Sequence, residues 1–121
     1  MHTETREVTI KERMLIASLL PERGHVMDLR ILRDLENELS FTAQEQATLK
    51  LRQAGNGVVQ WDQTQARRMV RKVEFPPRAV EIIAERLRQL DTDGQLHKDF
   101  LVLYEWFTAA QTASALEVEP Q

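Results

Sequence analysis

Cysteine is missing from this chain. Disulfides, thiolate metal sites, cysteine nucleophiles and haem attachment through cysteine are therefore excluded. Long apolar runs are missing too. The longest, Met14 to Leu20, is broken by Ser18 and stopped by Pro21, well short of the about 20 apolar residues that cross a bilayer. The first residues, Met1-His2-Thr3-Glu4-Thr5-Arg6-Glu7, are polar and charged, without the apolar stretch of a secretory signal. A cytoplasmic protein with no membrane association is the expectation. Neither sign of charge dominates: 16 basic against 19 acidic residues leave a net −3, which gives no global pull toward nucleic acid or anionic lipid.

What is present suits one small domain. The length of 121 residues allows roughly two-thirds of the unfolded surface to be buried. Residues 1–8 read as a flexible arm, 9–110 as a single α+β domain and 111–121 as a flexible tail. Thr9-Ile10-Lys11-Glu12 has the form of a capping box. It opens a helix whose apolar positions Ile10, Met14, Ala17 and Leu20 recur at helical spacing, and Pro21 ends it. A second helix is predicted from Val26 to Leu39 on a stripe of Ile31, Leu32, Leu35 and Leu39. Thr42-Ala43-Gln44-Glu45 is another capping box, expected to open a single turn.

From Thr48 to Gln53 the apolar period becomes two, with Leu49 and Leu51 alternating with polar residues, which predicts a strand. Gly55-Asn56-Gly57 supplies residues that tolerate positive φ, and Val58-Val59-Gln60-Trp61 reads as the returning strand of a hairpin. Residues 66–75 fit either period. A third strand is favoured there, because an isolated hairpin is marginal and Val70, Val73 and Phe75 have strand preference. Pro76-Pro77 then opens a helix with Val80, Ile83, Leu87 and Leu90 on its stripe. After Asp91-Thr92-Asp93-Gly94, a last helix is predicted from about His97 to Ala110. The expected fold is thus α-α-β-β-β-α-α: two helical hairpins flanking a three-stranded antiparallel meander. There is no internal repeat and no low-complexity tract.

Chemistry-bearing motifs are scarce. If Gly94 is set at the sixth position of a calcium loop, Gln89 and Phe100 fall where the loop needs acidic ligands. A polar turn is the better reading. His2, His25 and His97 have no second ligand at a metal-binding spacing. Ser18, Ser40 and Ser114 lack the nucleophile elbow, and Gly55-Asn56-Gly57 lacks the lysine and further glycines of a phosphate loop. Asp34 and Glu38, one helical turn apart, read as solvated charge. No catalytic residue, metal ligand or cofactor is expected.

Two features remain as candidates. Arg67, Arg68, Arg71 and Lys72 form a basic patch, with Arg78, Lys50 and Arg52 nearby in the predicted layout. On a strand, Arg68 and Lys72 would share one face and Arg71 the other. With Trp61 for stacking, such a face could hold a nucleic-acid backbone; a solvated sheet face is the simpler alternative. Trp106 falls off the main stripe of the last helix. It either anchors a protein partner or covers another helix.

Five short segments follow one another along the chain: Leu19-Leu20-Pro21-Glu22-Arg23-Gly24, Leu29-Arg30-Ile31, Phe41-Thr42-Ala43-Gln44-Glu45, Gln60-Trp61-Asp62 and Leu103-Tyr104-Glu105-Trp106-Phe107. In this pattern the chain resembles a group of small uncharacterised bacteriophage and prophage proteins. The resemblance implies a phage-derived gene and brings neither an activity nor functional residues. The expectation is a non-enzymatic interaction protein or accessory factor, working as a homodimer or on another protein. The alternative is a nucleic-acid-binding accessory protein that uses the basic hairpin face.

Overall fold

A computed structural model describes residues 3–50, 52, 53, 55 and 59–118. The chain runs β1 (Glu4–Thr9), α1 (Ile10–Leu19), α2 (Val26–Leu39), α3 (Ala43–Leu49), β2 (Arg52–Gln53), β3 (Val59–Gln60), α4 (Gln63–Arg68), β4 (Val70–Phe75), α5 (Pro77–Thr92), a 3-10 turn at Lys98–Phe100, and α6 (Leu101–Val118). Helix dominates, and among the described residues none is long and apolar enough to cross a membrane.

The predicted meander is not formed among the described residues. There are two separate two-stranded antiparallel pairs, β1 with β4 and β2 with β3. In the first, Glu4 lies opposite Phe75 and Thr9 opposite Val70. In the second, Arg52 faces Gln60. The third strand of the expected order does exist at Val70–Phe75, but its partner is the segment expected to be a loose arm. Two local causes explain the difference. Asp62 caps a helix that the sequence reading did not anticipate, its carboxylate accepting from the backbone N–H groups of Thr64 and Gln65. That helix, α4, separates the hairpin from β4. In β1, meanwhile, only Val8 is a fully buried apolar residue, so the alternation is written mostly in charged side chains.

The order strand–helix–helix occurs twice, as β1-α1-α2 and as β4-α5-α6, joined where the two strands pair. No sequence repeat accompanies it. Both predicted capping boxes form. Thr9 accepts from Glu12 N–H while Glu12 accepts from Thr9 N–H, and Thr42 and Glu45 do the same. The second box starts seven residues of helix rather than one turn. Leu49 therefore closes a helix and does not begin a strand. Lys50 then turns left-handed, at φ 54°. Leu51, Val58 and the Asn56-Gly57 part of the expected turn lie outside the described residues.

The main core joins both halves. Leu32, Leu35 and Leu39 of α2 meet Val73 and Phe75 of β4, Val80, Ile83 and Leu87 of α5, and Leu103 and Phe107 of α6. Pro76 and Pro77 open α5 as predicted. A smaller core of Ile10, Leu49 and Ala66 sits under Phe41, Trp61 and Met69. α1 buries Ile10, Arg13, Ile16 and Leu19, a face one residue away from the predicted Met14-Ala17-Leu20 stripe. The shift follows from Arg13, whose charge hid its inward position. α6 continues through residues 111–118, where the sequence suggested a tail.

Candidate interaction groove

Arg13 is the largest fully buried side chain among the described residues, 1 % exposed. An unpaired charge there would be prohibitive, and the surrounding structure satisfies it. Its Nε donates to the Leu39 carbonyl (3.2 Å), one terminal nitrogen to the Ser40 carbonyl (2.6 Å), and both terminal nitrogens to the Glu45 carboxylate (2.8 and 3.1 Å). Its guanidinium also lies 4.5 Å from the centre of the Phe41 ring. These contacts take up carbonyls at the end of α2, which have no partner within the helix. Hydrogen bonds from Arg13 hold the Glu45 carboxyl at about 2, against its ordinary 4.5. Burial opposes the shift, while Thr42 N–H and the charges of Arg13 and Arg71 reinforce it.

The basic patch of the sequence is dispersed. Arg67 and Arg68 are exposed at the end of α4. Arg71 is turned inward: it donates to the carbonyls of Glu38 (2.6 Å) and Ser40 (3.2 Å) and to Glu45 (2.6 Å). Lys72, on the opposite face of β4, is exposed. Arg78 is bonded through two nitrogens to Asp28, both contacts 2.9 Å, and also to Glu81. That pairing lowers the Asp28 carboxyl and raises the Arg78 guanidinium. Trp61 belongs to the small core.

Trp106 is partly buried against the main core. It lies 5.8 Å from Phe75 and 4.8 Å from Phe107, ring centre to ring centre, with the Arg6 guanidinium 5.3 Å away over its own ring. These ring contacts are with β4 and with its own helix rather than with a second helix. His97 accepts from Asp99 N–H as a cap, and Gly94 adopts φ 68° in the turn after α5. Among the described residues no three His, Asp or Glu side chains come together to hold a metal ion.

A concave surface lies between α2 and the outward face of the β1–β4 ribbon. It encloses about 520 Å³ and is lined by Ile31, Asp34, Leu35 and Glu38 on one wall and by Lys72, Glu74 and Pro76 on the other, with Thr3 beside them. Helical periodicity brings the four α2 residues to one side. Strand alternation brings Lys72 and Glu74 to the face opposite buried Val73 and Phe75. The Arg71 contacts hold the end of α2 against β4, those of Arg13 hold it against α1, and the Arg78–Asp28 pair holds its beginning near the start of α5. Sequence reasoning singled out Asp34 and Glu38 only as solvated charge. Their convergence with Glu74 depends on a pairing between distant segments that local pattern does not reveal.

Comparison with protein-family models, with curated proteins and with solved structures returns no match.

Proposed function

We propose that this chain is a non-enzymatic protein-interaction module whose contact surface is the groove between α2 and the β1–β4 ribbon. The observation that carries this reading is the groove itself. It is concave, has Ile31, Leu35 and Pro76 among polar neighbours, and is held at both ends by arginine contacts. Exposed Met27, at 65 %, lies one turn before Ile31 on the same side of α2. Apolar contact ringed by polar groups suits protein association.

The nucleic-acid reading draws less support. Of its four basic side chains, Arg71 spends its donors on Glu38, Ser40 and Glu45, and strand alternation separates it from Lys72.

The test is site-specific photocrosslinking in the source cell, with the reactive group at Met27 in one variant and at Gln44, outside the groove, in another. A discrete adduct from the first position alone is expected. Equal labelling from both positions, or none from either, removes the reading. Fluorescence anisotropy with short single- and double-stranded DNA at low salt is expected to show no saturable binding.

A further inference from the structure

The groove is chemically graded along its length. β4 runs antiparallel to α2: the Arg71 contacts place Lys72 beside the end of α2, and the Arg78–Asp28 pair places Pro76 near its beginning. At that beginning Met27 precedes Ile31 by one turn on the same side of the helix, and Pro76 lines the other wall. Methionine offers an adaptable apolar contact. Toward the other end stand Asp34, Glu38 and Glu74, with Lys72 as the single cation lining the groove among the described residues. None of Glu38, Glu74 and Lys72 makes an ion pair among the described residues. Asp34 has only a long, solvent-exposed contact with Arg33, 3.9 Å, of the kind that contributes little, so the groove keeps an excess of negative charge beside exposed Met27 and half-buried Ile31 and Pro76.

We infer that the groove takes a segment of a partner protein in which an apolar side chain is followed by lysine or arginine. The apolar side chain sits against Met27, Ile31 and Pro76, and the cation meets Asp34, Glu38 and Glu74. This rests on the interaction reading above and adds the chemistry of the partner. Charge complementarity selects the occupant: an acidic segment would meet three carboxylates, and like charges brought together disfavour the wrong partner.

The experiment uses the full chain and two dye-labelled peptides of equal length. Both carry leucine at the same positions, and the remainder is lysine-rich in one and glutamate-rich in the other. Anisotropy is expected to show saturable binding of the lysine peptide alone. The double substitution Asp34→Lys with Glu38→Lys, both exposed helix positions, is expected to weaken it by about tenfold or more. Circular dichroism melting checks that this variant is folded. A third variant, Met27→Ser, is expected to weaken binding without altering charge.

Lysine-peptide binding that survives the charge reversal, or no preference between the peptides, overturns the inference. So does a dimer in light scattering that dissociates on the same reversal, because a second copy then fills the groove. An adduct from Met27 to a partner segment without basic residues overturns this inference while leaving the interaction reading intact. Absence of any adduct removes both.

Discussion

Arg13 and Glu45, 32 residues apart in sequence, meet through two hydrogen bonds at the junction of α1, α2 and α3. The geometry is bidentate, and Arg71 donates to the same Oε1 that accepts from Arg13 and from Thr42 N–H. Glu45→Gln keeps the side-chain shape but strands the buried Arg13 charge. A loss of about 3 kcal/mol is expected, read as a lowered midpoint in urea denaturation. A change under about 0.5 kcal/mol, the range of an ordinary surface position, would contradict the arrangement.

The same carboxylate sets an acid limit. Its folded-state value is lowered to about 2 from 4.5, so the charged form is the stabilised one. Above pH 4.5 the contribution is complete. Between there and about pH 2 the unfolded chain takes up a proton that the folded chain refuses, and stability falls as pH falls. The shift corresponds to at most about 3 kcal/mol, given the partly open carboxylate. Comparing the unfolding free energy of wild type and Glu45→Gln from pH 7 to pH 2 should show the difference shrinking in that window. A constant difference would show that Glu45 is not the group responsible.

Trp106→Ala is expected to destabilise by about 3 kcal/mol, as loss of a large packed aromatic does. The effect should appear in thermal melts of the isolated protein. A free partner anchor would leave the melt unchanged.

The two ends of the basic run should separate. Replacing exposed Arg67 and Arg68 with serine is expected to change stability by less than about 0.5 kcal/mol. Arg71→Ala leaves carbonyls at the end of α2 short of a donor and is expected to cost about 1–3 kcal/mol. Equal effects in chemical denaturation would mean that Arg71 is as free as its neighbours.

The parts legible in sequence were those written locally. Thr9 and Thr42 announced two helices, Pro21 ended one and Pro76-Pro77 began another, and the stripe of α2 and most of that of α5 followed from spacing alone. What stayed hidden depended on partners far along the chain. β1 shows little apolar alternation because Arg6 faces inward over Trp106 and bridges to Glu12. The α1 face was misplaced because a charged residue at position 13 reads as solvent-facing until Glu45 is known to be beside it. Residues 66–75 satisfied both periods because both are present, with a helix to Arg68 and a strand from Val70. The groove could not be read from pattern, since one wall is helix and the other is strand.

The ribbon between Glu4–Thr9 and Val70–Phe75 has a consequence for biosynthesis. A ribosome delivers the first strand dozens of residues before its mate, and domains generally settle as whole units during synthesis. Until Phe75 clears the exit tunnel, Val8 and Ile16 have no lid, and α1 and α2 hold only half of a hydrophobic interior. Nascent chains arrested ahead of Val70 are therefore the species most exposed to proteases and to chaperone capture, and release of α5 and then α6, which brings Leu103 and Phe107, ends that exposure.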